Sequence, residues 1–104
     1  MTFKLETATK YDNKLKYIMK NNFQSVLNKI AEIENILESG LWLEQDIKKQ
    51  YKIGKLNNKQ RNLWKCKYIY KWRLVFAVDD NIITLIDLDR RDTIYNFLRM
   101  FFNF

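Results

Sequence analysis

Three β-rich runs, 63–70, 72–78 and 82–88, follow one another in this 104-residue chain with only a few residues between them. Tyr70-Lys71 makes the first connection and Asp79-Asp80-Asn81 the second. Parallel strands need a crossover of roughly a dozen residues or more, so runs this close must pair as antiparallel hairpins. Side chains alternate along each strand. In the second run Trp72, Leu74, Phe76 and Val78 form an apolar face suited to a core, which leaves Arg73 on the opposite side. In the first, Leu63, Lys65, Lys67 and Ile69 point one way and Trp64, Cys66, Tyr68 and Tyr70 the other.

The remaining elements must cover this sheet. Residues 2–8 alternate, with Phe3 and Leu5 opposite Lys4 and Glu6, which predicts a short first strand. From Thr9 the period becomes helical. Tyr11, Leu15, Ile18 and Met19 make one stripe ending near Asn21-Asn22. Phe23, Val26, Leu27, Ile30, Ile33 and Leu37 make a second, with Gly40 in the place of a helix C-terminal glycine. The stretch 41–62 reads as loop with room for a short helix: Leu41, Trp42, Leu43 and Ile47 could form a helical turn or cover a sheet edge, and Gly54 and Asn57-Asn58 punctuate turns. Ile94, Phe97, Leu98, Phe101 and Phe102 form a last helical stripe. The order β-α-α-β-β-β-α, in a chain short enough for one core, predicts a single α+β domain over 1–104, with helices packed on an antiparallel-rich sheet.

Charge is unevenly distributed. Nineteen Lys and Arg oppose twelve Asp and Glu, a net +7, yet ten bases and no acid lie between Lys48 and Arg73. The other nine bases and twelve acids leave the rest of the chain at −3. Tyr51, Trp64, Tyr68, Tyr70 and Trp72 are interleaved with the basic run. Cations set among flat rings suit a polyanion with unstacked bases, which means RNA or single-stranded nucleic acid, with Lys59, Arg61, Lys65, Lys67 and Lys71 as candidate phosphate contacts. A solvated lysine-rich face is the plainer reading of the same residues. No apolar run approaches the roughly 18–20 residues of a membrane span and no secretory signal is visible, so the expected location is the cytoplasm.

Histidine is absent and Cys66 is the sole cysteine. That removes the imidazole general base, Cys/His zinc sites and an intrachain disulfide, and no metal or cofactor is expected. Chemistry would rest on Lys, Arg, Tyr and carboxylates. Lys65, Lys67 and Arg73 gather on one sheet face if the hairpin register allows, and Asp87-Leu88-Asp89-Arg90-Arg91-Asp92 brings out two arginines where the sheet hands over to the last helix. Such cations stabilise the charge that builds on a phosphorane-like transition state. Tyr95 follows Arg91 by four positions, one helical turn, and clustered cations favour its phenolate over the phenol, whose reference pKa is ~10. The alternatives are a helix-boundary role for Tyr95 and plain surface roles for Lys65 and Lys67.

The string from Leu63 to Tyr95 resembles the second half of the RelE/ParE toxin superfamily. That pattern is a strand with spaced lysines, a Tyr-Arg-Leu-Val-Phe-like strand, an acidic turn, a β-branched strand, and an arginine segment closing on a tyrosine. Here it is met by Lys65 and Lys67, Trp72-Arg73-Leu74-Val75-Phe76, Asp79-Asp80-Asn81, 82–88, Arg90-Arg91 and Ile94-Tyr95. The resemblance implies the RelE-like microbial RNase fold and the toxin of a type II toxin–antitoxin pair. Such a toxin cleaves mRNA, commonly in the ribosomal A site, by attack of the ribose 2′-OH on the adjacent phosphate without a metal. It further implies Tyr95 as general base, Arg90 or Arg91 as leaving-group acid, Arg73 as transition-state stabiliser, and Lys65 and Lys67 holding substrate or assisting the base. Several relatives carry a histidine just before the arginine, where this chain has Asp89.

The implied partners are a small antitoxin, mRNA and the ribosome. The last helix is rich in Phe97, Phe101, Phe102 and Phe104, most of which a small domain needs in its core, and any exposed remainder suits a partner helix. Two alternatives remain open: a ParE-like topoisomerase poison on the same fold, and a non-catalytic basic module that binds RNA or an acidic partner.

Overall fold

A computed structural model describes residues 2–56, 62–69 and 71–90. The elements in chain order are β1 (Lys4–Thr7), α1 (Thr9–Lys20), α2 (Gln24–Ser39), a 3-10 turn (Leu41–Leu43), α3 (Gln45–Tyr51), β2 (Ile53–Lys55), β3 (Leu63–Ile69), β4 (Trp72–Asp79) and β5 (Ile82–Arg90). The strands form one mixed sheet in the order β1-β5-β4-β3-β2. β2 to β5 pair antiparallel and β1 lies parallel to β5. The helical hairpin α1-α2 separates β1 from the meander in sequence, so the first strand returns to the sheet beside the last. The final helical stripe expected from Ile94 onward lies outside the described residues.

The two expected helices form, and their inner faces carry Tyr11 and Ile18 on α1 and Val26, Ile30, Ile33, Ile36 and Leu37 on α2. Gly40 ends α2 in the left-handed region at φ 82, where a side chain would be strained. These helices cover one sheet face, burying Phe3, Cys66, Ile69, Leu74, Phe76, Ile83, Leu85 and Leu88 in a shared core. Tyr11 is fully buried and its hydroxyl donates to Glu34 Oε2 at 2.6 Å, tying α1 to α2. Burial, reinforced by the bond to Glu34 and that carboxylate's charge, pushes the phenol far above its ordinary pKa.

Several expectations need correction. The stretch 41–62 is more ordered than a loop: Trp42 inserts into the core from the 3-10 turn, α3 follows, and β2 adds a fifth strand beside β3. Three residues including Gly54 carry no readable alternation, and they become a strand because β3 offers an open edge. Met19 and Phe23, expected on the inner stripes, are among the exposed large hydrophobics. Ile69, expected to share a face with Lys65 and Lys67, joins Cys66 in the core. The β3–β4 register shifts between Cys66 and Ile69, and this bulge inserts one residue that reverses the alternation after it.

Among the described residues no helix is long and apolar enough to cross a membrane.

Candidate functional site

The sheet face turned away from the helices has two halves. At one end Leu56, Leu63 and Val75 form a small buried cluster with Ala77 and Ile86 against it. At the other stand Lys65 and Lys67 of β3 and Arg73 of β4. Lys65 is register-paired with Val75 on one side and Gly54 on the other. Because Cys66 pairs with Leu74 and Ile69 with Trp72, Lys67 and Tyr68 together stand opposite Arg73. The β3 bulge therefore sets Lys67 beside Arg73, a juxtaposition that the alternation alone did not establish.

Arg73 is half-buried, and its Nε–H is shut off from solvent with no hydrogen-bond partner among the described residues. A buried charged donor left unsatisfied is costly, and a bound anion is one of the acceptors that can offset that cost. A guanidinium fork matches two phosphate oxygens. The half-buried Lys65 and Lys67 add positive charge on the same face, and Lys71 is exposed in the turn that leads into β4. Asp89 is the register partner of Arg73 across β4–β5, and Arg90 is that of Trp72. Lys59, Arg61, Arg91 and Tyr95 lie outside the described residues.

Other members of the basic run have structural roles. Lys48 Nζ sits 5.2 Å from the Trp64 ring centroid and 5.8 Å from that of Trp42, a cation–π contact that binds α3 to the core. Trp64 stacks on Phe76 with an interplanar angle of 12°, and Tyr51 is buried. These two rings were expected among the nucleic-acid contacts, and the core takes them instead because a small domain needs its large side chains inside. A concavity of about 320 Å³ against α3 and β2 is lined by Gln45, Asp46, Lys48, Lys49 and Ile53, without Arg73.

One group escaped the sequence reading. Asp87 is wholly buried in β5, with Oδ1 accepting the Leu88 N–H at 2.8 Å and Oδ2 lying 3.5 Å from Lys10 Nζ of α1. The available signal was an acid in the middle of a β-branched run, which normally demands a partner.

No family model matches the chain, and no curated protein matches it in sequence. Solved structures do match in fold. YafQ in the Escherichia coli DinJ–YafQ toxin–antitoxin complex superposes with a TM-score of 0.75 at 14% identity, covering 91% of this chain and 99% of the relative. The YoeB dimer from Staphylococcus aureus gives 0.64 at 19% identity, covering 88% and 99%. Archaeal RelE, solved with RelB from Pyrococcus horikoshii, gives 0.61 at 20% identity, covering 88% and 97%. The described residues form three α-helices on a five-stranded mixed sheet, and with a match that spans nearly the whole of each relative this chain has the RelE-like fold.

Proposed function

We propose that this protein is the toxin of a type II toxin–antitoxin pair and acts as a metal-independent endoribonuclease on mRNA, on the ribosome, held in check by a small cognate antitoxin. The observation that carries the reading is Arg73: a guanidinium whose buried Nε–H has no partner among the described residues, beside Lys67 on the sheet face turned away from the described helices of a RelE-like fold. The DinJ–YafQ and RelE–RelB complexes support the antitoxin partner.

In the proposed reaction a general base, assigned to Tyr95, takes the proton of a ribose 2′-OH. The 2′-oxygen attacks the adjacent phosphorus, the bond from phosphorus to the 5′-oxygen breaks, and Arg90 or Arg91 returns a proton to that oxygen. A 2′,3′-cyclic phosphate and a 5′-hydroxyl result. Arg73 binds the equatorial oxygens, whose charge peaks in the transition state, and Lys65 and Lys67 hold the flanking phosphates. Lys59, Arg61 and Lys71 would extend the phosphate track.

The test is induction in cells followed by primer extension on mRNA. Wild type should arrest growth and leave discrete cleavage ends, and Arg73→Ala and Tyr95→Phe should relieve arrest while still binding antitoxin. Equal toxicity of all three would refute the catalytic assignment, and inhibition of gyrase supercoiling with intact mRNA would replace it with the topoisomerase-poison reading.

A further inference from the structure

Tyr51 and Trp64 of the basic run pack into the core, yet open rings remain at the tip of the helical hairpin. Tyr17 on α1 is 53% exposed and Phe23, just before α2, 40%. Their centroids are 6.4 Å apart with planes tilted by 59°, and Phe23 lies 6.5 Å from the half-buried Trp72 at 51°. An aromatic strip thus runs from α1 across the hairpin tip to the first residue of β4, and the next residue is Arg73.

In sequence, the charge flanking Tyr17 and Phe23 is of one sign. Residues 13–31 contain Lys14, Lys16, Lys20 and Lys29 and no acid, a second acid-free stretch beside that of 48–73. The contact of Phe23 with Trp72 is where the fold joins the two. Lys16, Lys20 and Lys71 are exposed, as are Asn21 and Asn22 between the rings.

We propose that Tyr17, Phe23 and Trp72 form a stacking platform for unpaired bases of single-stranded RNA, with Lys16, Lys20 and Lys71 neutralising the linking phosphates. The proposal rests on the RNA reading of the Arg73 face and extends it: a strand presenting one phosphate to Arg73 continues round the start of β4 onto the strip. Rings tilted by 51° and 59° offer separate faces to successive splayed bases. An amphipathic protein helix would instead need a continuous apolar groove with anchors at helical spacing, whereas here exposed Met19 is the one apolar neighbour on the surface between Tyr17 and Phe23, and exposed Lys20, Asn21 and Asn22 break the strip.

The experiment measures anisotropy of a fluorescein-labelled 2′-O-methyl oligoribonucleotide, which lacks the attacking hydroxyl, on the purified full chain. Tyr17→Ala and Phe23→Ala should each weaken single-strand binding about tenfold, Tyr17→Phe should bind like wild type, and affinity for a duplex of the same sequence should change less than about twofold. Lys16→Ala with Lys20→Ala should lower the slope of log Kd against log salt by about 0.7 per lysine. Tyr17 is 53% exposed, so Tyr17→Ala should melt like wild type, whereas Phe23→Ala loses its contact with Trp72, melts lower, and is compared at a temperature where it is folded. Unchanged single-strand binding in both alanine variants overturns the platform, as does an equal loss on duplex, or a loss confined to an acidic helical peptide used as control. Growth arrest separates the two claims: Arg73→Ala cells that arrest like wild type refute the ribonuclease reading, while the platform is judged on the binding ratios.

Discussion

Replacing Arg73 with methionine should make the protein more stable and less active at once. The Nε–H is buried with no partner among the described residues, and a buried donor left unsatisfied costs ~1–3 kcal/mol. Lys67, of like charge, stands opposite across the β3 bulge and Lys65 lies on the same face, while Asp89 is the register partner on β5. Methionine matches the length of the arginine stem, carries no donor and packs adaptably. Arg73 is only half-buried, so the outer end of the guanidinium retains some solvation and the low end of the range applies. A gain of ~1 kcal/mol raises the melting temperature of a domain of about 100 residues by about 4–8 °C. Loss of one preorganised donor to the transition state costs ~3–4 kcal/mol, or about 10²–10³ in rate. Thermal unfolding followed by circular dichroism and single-turnover cleavage of an mRNA fragment measure the two effects separately. A melting temperature that falls would refute the claim that this side chain is held at a cost to stability. Cleavage within about tenfold of wild type would refute its role at the phosphate.

Two further substitutions test the packing beneath the site. Tyr11→Phe removes the 2.6 Å bond to Glu34 and should destabilise the fold by ~1–3 kcal/mol, read as a lower urea midpoint. Tyr11 keeps its proton in the native state well above pH 10, whereas the unfolded chain loses it near the ordinary value of 10.0. The native state therefore binds the extra proton above pH 10, so this contribution is complete below that pH and declines as pH rises beyond it, by up to ~1.4 kcal/mol per unit. The decline should be shallower in Tyr11→Phe, and identical slopes would count against the buried phenol. Lys10→Ala leaves the buried Asp87 carboxylate without its α1 partner and should cost ~1–3 kcal/mol, with Lys10→Arg recovering most of it in the same urea titration.

Legibility in the sequence followed locality. The alternation of Trp72, Leu74, Phe76 and Val78 and the short turn at Asp80-Asn81 depend on neighbours in the chain, and β4 and its hairpin with β5 could be read directly. The helical stripes were legible for the same reason, although period alone assigned Met19 and Phe23 inward and the packed hairpin leaves both exposed. β2 was not legible, since Ile53-Gly54-Lys55 has no pattern of its own and is a strand only by pairing with β3. The basic run could be counted, but counting could not separate Lys48, held over two tryptophan rings, from the half-buried Lys65 and Lys67 on the face beside Arg73.

By itself the sequence determined an α+β chain with a lysine-rich antiparallel meander, an imidazole-free chemistry and Arg73 on the face away from the core. These follow from composition, from short connections and from the two-residue period of a strand. Tertiary structure decided which side chains meet. The bulge in β3 reversed Ile69 into the core and set Lys67 beside Arg73, and the return of β1 to β5 brought α1 close enough for Lys10 to reach Asp87. Closure of the hairpin over the sheet carried Phe23 to Trp72. The physical reason is common to all three: a one-residue slip in register or the packing of elements far apart in sequence is governed by the partner surface, which no local pattern encodes.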